Sequence, residues 1–234
     1  MNSIIIKYTI KELIDLGIHI GNIKKLTNFR INKWFIYCIR NNICIINVKI
    51  TLIILKQLYI YIYNLIKFKL ILIIYLGNLK NYSNKLFLDE YKKLGKNIIL
   101  LEKIWIKGFF YNIKQMFFYC RRIKKKQIIK KKNIIESLIE LKKIKCIPDT
   151  IIMFNLNLNI KYILECLDLN INLISVVDTI NNINNISIKI PGNAKSFFGF
   201  EFFNIFYLKI IKKIYNKIII NWFNKYKYII KTFI

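Results

Sequence analysis

Acidic side chains are too few in this sequence to balance the basic ones: twelve Asp and Glu face forty Lys and Arg in 234 residues, a formal net charge of +28. Internal pairing cannot neutralise such a surface, so a polyanion is its expected neighbour, either nucleic acid or an anionic membrane. Histidine occurs once, at His19, which leaves Ser or Cys catalysis a single candidate base, and no motif sets a nucleophile against it. The five cysteines, Cys38, Cys44, Cys120, Cys146 and Cys166, are odd in number and form no C-x-x-C pair. That pattern argues against a disulfide framework or a zinc cluster and for buried thiols. Neither G-x-G-x-x-G nor G-x-x-x-x-G-K-[ST] is present, so dinucleotide and P-loop phosphate binding have no support. No cofactor, metal or small-molecule substrate is expected.

Alanine occurs only as Ala194, proline only as Pro148 and Pro191, and arginine only as Arg30, Arg40, Arg121 and Arg122. Codons rich in A and T encode the Ile, Lys, Asn, Phe and Tyr that take their place, and a reduced organellar genome is the expected source. The segment Met1 to Lys7 has no charged head, long apolar stretch or cleavage site, nor the Arg/Ser character of a transit peptide. A protein translated inside the organelle that houses it fits this pattern.

What is abundant is apolar surface, 55% of residues, enough to offset the entropy of ordering and to exclude a disordered basic tail. The longest apolar candidate, 50–76, is broken by Lys56, Gln57, Asn64, Lys67 and Lys69, so an amphipathic helix followed by a buried strand is expected rather than a membrane span. Short β-rich runs alternate with helical periodicity, the signature of βαβ units around a mostly parallel, doubly wound α/β sheet. Strands are expected at 44–48, 70–76, 97–101, 150–155, 173–178 and 187–190. Helices are expected at 10–16, 49–68, 84–94, 160–169 and 196–215.

From Phe109 to Ile147 there is neither Gly nor Pro. Phe109, Ile113, Met116, Cys120 and Ile123 alternate at spacings of four and three, a coiled-coil seam, and Ile134, Leu138 and Leu141 make a second. A turn at Lys130-Lys131-Lys132-Asn133 gives an inserted antiparallel helical hairpin, although periodicity equally permits one long helix. The expected organisation is therefore a single α/β domain, 1–108 with 148–234, interrupted by a helical hairpin at 109–147.

Residues 121–132 hold eight cations and no acid: Arg121, Arg122, Lys124, Lys125, Lys126, Lys130, Lys131 and Lys132. A solvated helix face normally mixes signs to gain pairing at i,i+4, so unrelieved repulsion points to phosphate contact. The N-terminal loop adds Lys24, Lys25, Arg30 and Lys33, interleaved with Phe29 and Trp34; Trp34 is expected in the core rather than stacked on a base. With Arg40 these are the candidate RNA-binding residues. A further acid-free stretch, 202–234, reads as a basic C-terminal helix.

Two readings compete with nucleic-acid binding. A peripheral protein on anionic lipid is compatible with the apolar, basic C-terminus. A divergent α/β enzyme would use Asp178, which closes an expected strand at the carboxyl edge where such sites form, and Asp149 would join it in a Mg2+ site. Against the enzyme, Asp178 and Thr179 are residue types that ordinarily cap loops through local hydrogen bonds. His19, between Gly17 and Gly21, is expected to be a structural histidine with its hydrogen bonds satisfied, the glycines giving a tight turn and close backbone approach.

Several stretches together resemble the bacterial-type small-subunit ribosomal protein S2 family. Gly17-Ile18-His19-Ile20-Gly21, with Asn28, Lys33, Ile36, Arg40-Asn41 and Ile45-Ile46-Asn47, resembles the family's N-terminal signature. Ile147-Pro148-Asp149, Val176-Val177-Asp178-Thr179 and Ile190-Pro191-Gly192-Asn193 resemble its later blocks in order and approximate spacing. Gly77 with Lys80, and Trp105, Gly108, Asn112 and Lys114, resemble two blocks between them, so the resemblance covers roughly residues 13–206. The chain departs from the pattern at Lys103-Ile104 and Lys107, and at Asn182, Asn184, Ala194 and Lys195, where the family commonly has acids. The resemblance implies a flavodoxin-like domain with a protruding coiled-coil hairpin. It also implies a structural, non-catalytic place on the small ribosomal subunit, against ribosomal RNA and neighbouring ribosomal proteins. The closeness to the bacterial pattern favours a plastid, apicoplast-type ribosome, with a mitochondrial ribosome as the alternative.

Overall fold

The computed structural model describes residues 8–28, 33–68, 70, 72–75, 90, 94, 97–101, 106, 108–122, 141, 144, 146–154, 160–182 and 184–232, without side chains at 75, 117, 119–122, 160–161 and 219–232. The first helix, α1 (Ile10–Asp15), starts on a capping box: Thr9 Oγ1 accepts from the Glu12 amide at 3.2 Å, and the Thr9 amide donates to Glu12 Oε2 at 2.8 Å. Gly17, with φ +69°, ends it in the left-handed conformation that a side chain resists.

Three short strands follow, β1 (Ile20–Ile23), β2 (Ile36–Arg40) and β3 (Ile43–Ile46), in an antiparallel sheet of order β1-β3-β2. Asn41 and Asn42, with φ of 47° and 60°, make the two-residue turn between β2 and β3. This corrects the expectation that 44–48 joins the parallel sheet. A two-residue turn can only return the chain antiparallel, whereas a parallel partner needs a crossover of a dozen residues or more.

Helix α2 (Val48–Lys67) is capped by Asn47, whose side chain accepts from the Lys49 amide at 3.1 Å. Val48, Thr51, Leu55, Leu58, Ile62, Leu65 and Ile66 form its buried stripe. By length and hydropathy alone α2 is able to cross a membrane, but that stripe packs into the protein core, and the opposite face carries Lys56, Gln57 and Asn64.

Strands β4 (Leu72–Tyr75), β5 (Ile98–Leu101), β6 (Thr150–Met153), β7 (Asn172–Val177) and β8 (Ile188–Pro191) make a parallel sheet of order β5-β4-β6-β7-β8. Counted from β4 this is 2-1-3-4-5, the flavodoxin-like doubly wound order. Alternate residues bury on opposite faces. Leu72, Ile74, Ile152, Ile174, Val176 and Ile190 meet α1, α2 and the C-terminal helix; Ile73, Leu101, Ile151, Met153, Leu173 and Val177 meet the other layer. Burial on both faces is why these strands read as unbroken Ile-rich runs.

Helix α3 (Ile113–Arg122) begins the expected hairpin segment, but its first seam residues serve the domain core. Phe109 is buried in the turn before α3, and Ile113 and Met116 pack on the same cluster as buried Leu141 and Ile144. Ile123, Ile134, Leu138 and the basic turn at 130–133 lie outside the described residues, as does 84–94 apart from helical Glu90 and Leu94. Helix α4 (Ile160–Asp168) and the final helix α5 (Phe197–Thr232) complete the fold. α5 extends well beyond the expected 196–215, because no Gly or Pro interrupts the chain after Gly199.

Candidate nucleic-acid interface

The carboxyl edge of an open α/β sheet is its usual ligand site, and here the chain's own N-terminal segment covers the ends of β7 and β8. Asp178, 4% exposed, follows β7. Its Oδ1 accepts from the Thr179 amide at 2.6 Å, its Oδ2 accepts from the Asn22 side-chain amide at 2.5 Å, and Lys195 Nζ lies 2.8 Å from the same Oδ2. The Asp178 amide donates to Asn181 Oδ1 at 2.8 Å, closing the loop locally. Thr179 Oγ1 receives the Asn22 amide at 2.9 Å, and the Asn28 amide reaches the Thr179 carbonyl at 3.1 Å.

Gly21 allows this contact. A Cβ there would stand 2.7 Å from both the Cys44 carbonyl oxygen and Thr179 Cγ2. Beside it the Asn193 amide donates to the Ile18 carbonyl at 3.1 Å, and Thr51 Oγ1 donates to the Pro191 carbonyl at 2.7 Å. Blocks near residues 20, 178 and 192 of the sequence thus converge on one joint. Every oxygen of Asp178 is engaged, which is the loop-capping role, now extended across the molecule to Asn22 and Lys195.

Asp149 precedes β6 and Asp178 follows β7. Because β6 and β7 run parallel, with Asn172 in register with Thr150, the two carboxylates sit at opposite edges of the sheet, about 20 Å apart at 3.3 Å per residue. They do not share a Mg2+ site. Among the described residues no cluster of three or more His, Cys, Asp or Glu is placed to hold a metal.

The cations take different places. Lys24 and Lys25 form an exposed 3-10 turn directly after β1, and the Lys24 amide donates to the Asn42 carbonyl at 2.8 Å. Arg40 pairs across β2–β3 with Ile43, and Ile43 with Ile23, so Lys24, Lys25 and Arg40 share one exposed end of the small sheet. Lys33 is exposed at the opposite end of β2. No acid occurs between Asp15 and Asp89, so none from this span tempers the group. Arg121 and Arg122 close α3, their side chains outside the description, and Arg30, Lys124, Lys125 and Lys126 lie outside the described residues.

Three expectations need correction. Trp34 is not a core residue: it is 43% exposed, and Phe35, fully buried, takes the core position with its ring edge-to-face to Trp34 at 5.0 Å. Alternation along an extended chain sends only one of two adjacent rings inward. His19 differs from that expectation, since its buried Nδ1 has no hydrogen-bond partner among the described residues; the His19 carbonyl, by contrast, accepts from the Ile46 amide at 2.8 Å. Cys44 and Cys166 are buried, but Cys38 and Cys146 are exposed, Cys38 on the outer face of β2.

Sequence reasoning passed over Glu165. It is 1% exposed, and its carboxylate accepts from the backbone amides of Gly108 at 3.2 Å, Phe110 at 2.6 Å and Tyr111 at 3.3 Å. Three amides aimed at one carboxylate anchor the turn that launches α3. The Tyr111 hydroxyl donates to Asp168, one helical turn further along α4. The hydrogen bond to Asp168 holds the Tyr111 phenol up at about 12, and burial together with the Glu165 charge pushes the Cys166 thiol up to about 12. A lone acid on the inner face of an amphipathic helix was the available signal.

Compared with known protein families, the chain matches the family described as Ribosomal protein S2 over residues 13–211.

Proposed function

The chain belongs to the ribosomal protein S2 family, structural proteins of the small ribosomal subunit, and on that premise we propose that it serves an organellar, plastid-type ribosome by binding ribosomal RNA and neighbouring ribosomal proteins. The observation that carries the RNA-binding part is the exposed cluster of Lys24, Lys25 and Arg40 in a span of chain without acids. Lysines facing phosphates supply affinity with little sequence information, and the shape of folded RNA supplies the register. Lys33, at the other end of β2, and Arg30 belong to the same proposed set of RNA-binding cations. Arg121, Arg122, Lys124, Lys125 and Lys126 form a second one on a hairpin spanning 109–147, inserted into a single domain of 1–108 and 148–234.

Ile20, Ile23 and Ile43, exposed beside the cations on the outer face of the small sheet, support contact with a neighbouring protein. The joint at Asp178 supports a structural rather than catalytic role, since its carboxylate is committed to Asn22, Thr179 and Lys195. The A- and T-coded composition supports the organellar assignment, and the bacterial character of the ordered blocks favours plastid over mitochondrion.

Sedimentation tests the reading. The protein is expected to co-migrate with the small subunit of purified organelles and to leave it only at high salt; flotation with membranes, or free protein at low salt, would overturn it. Replacing Arg121, Arg122, Lys124, Lys125 and Lys126 by Gln is expected to weaken association and flatten its salt dependence, and an unchanged slope would count against the hairpin as a phosphate-binding arm.

A further inference from the structure

At the amino edge of the parallel sheet, away from the Asp178 joint, a cleft of about 550 Å3 opens between the last turns of α2 and α4. Pro148 is buried at its base, and Tyr61 is fixed there by a hydrogen bond of 3.0 Å between its hydroxyl and Thr150 Oγ1. Its mouth is lined by Asn64, Phe68, Asp149, Asn170 and Asn172. Phe68 is 67% exposed, and Lys67 Nζ stands over one side of its ring, 5.6 Å from the centroid.

The side-chain amides of Asn64, Asn170 and Asn172 have no hydrogen-bond partner among the described residues. Each offers donors and an acceptor on one planar group. The Asp149 carboxylate disfavours an anion inside the cleft, and the amides alternate with Leu70, Ile147 and Leu169, a mixed lining that suits a group with a flat apolar face and a polar edge. An exposed aromatic ring, planar amides and a lysine at the rim together fit an unpaired nucleobase, which is read by stacking and by hydrogen bonds to its edge while its phosphate stays in solvent. The volume lies within the range of small-ligand sites.

We infer that this cleft receives one unpaired nucleotide of the RNA on which the protein sits. The base stacks on Phe68, its edge meets the amides of Asn64, Asn170 and Asn172, and its phosphate lies outside beside Lys67. This inference rests on the RNA-binding reading above and adds a single-nucleotide site to it.

Ultraviolet crosslinking of small subunits that contain the protein, followed by mapping of the nucleotide–peptide adduct, tests it. An adduct within the segment around Phe68 is expected, together with one RNA base that becomes reactive to a base-modifying reagent in the variants. Phe68→Ala alters an exposed ring and is expected to lower the adduct yield about tenfold, the scale of one lost stacking contact. Asn170→Gly removes an amide at a residue with φ +55°, a conformation glycine adopts freely, so the fold is kept while the base loses protection. Variants that stay on the subunit with every base unchanged, or a wild-type adduct that maps elsewhere, would overturn the nucleotide site and leave the RNA-binding reading intact. Wild-type protein absent from the subunit would overturn both.

Discussion

Asn22 donates its side-chain amide to Asp178 Oδ2 at 2.5 Å, joining residues 156 positions apart and fastening the small antiparallel sheet to the end of β7. The contact is part-buried, so losing it leaves polar groups unsatisfied as well as an interaction unmade. Asp178→Ala strips the Thr179 amide, the Asn22 amide and Lys195 of one shared acceptor. A loss of roughly 2–4 kcal/mol in urea denaturation is expected, the Lys195 pair adding little because that side chain is substantially solvated. Asn22→Ala should cost about 1 kcal/mol, and a double variant should fall short of the sum, since both changes remove the same contact.

Gly21→Ala tests the same joint by steric means. A methyl group 2.7 Å from the Cys44 carbonyl oxygen and from Thr179 Cγ2 forces β1 away from the β7 loop. A destabilisation of about 1–3 kcal/mol is expected, read as a lowered midpoint of thermal unfolding.

Glu165 anchors the turn before α3. Glu165→Ala leaves three backbone amides facing a void and should cost about 3 kcal/mol, whereas Glu165→Gln keeps one acceptor oxygen and should cost less. Hydrogen exchange at Phe110 and Tyr111 should quicken in both variants, more so in the alanine form.

Alkaline stability follows from Tyr111 and Cys166. Both groups are held protonated by the fold, from ordinary values of 10.0 and 9.0 to about 12. A raised value means that the protonated form is the one the native state favours. The contribution is therefore intact below pH 9 and is lost as pH rises toward 12. Near-ultraviolet titration should show several late phenols, buried Tyr207 and hydrogen-bonded Tyr111 among them, and Asp168→Asn should bring the Tyr111 phenol alone down toward 10. Thiol reagents at neutral pH should label Cys38 and Cys146 rapidly and spare Cys44 and Cys166 until the protein unfolds.

The sequence made the parallel sheet legible because its strands are buried on both faces, so they stand out as Ile-rich runs between amphipathic helices. The small sheet was hidden. Its β2–β3 hairpin turns on Asn41-Asn42, a weaker turn signal than Asn-Gly although its geometry is the same. The length of α5 was underread because apolar and basic residues continue past Tyr215 without a stop signal. At the site, composition pointed to Lys24, Lys25 and Arg40, but only the ladder Arg40–Ile43–Ile23 brings them to one end of a sheet. Glu165 was signalled only as a lone acid on the inner face of an amphipathic helix, and its partners, like those of the Asn22–Asp178 bond, lie far away in sequence, where no local pattern specifies them.

The salt dependence of binding to small-subunit RNA tests the central claim most directly. Logarithmic affinity should fall linearly with the logarithm of salt concentration, and replacing Lys24, Lys25 and Arg40 by Gln should reduce the slope by about 2 to 3, near one unit per lost phosphate contact. A slope unchanged by the triple replacement, or an affinity indifferent to salt, would contradict an interface built from these cations.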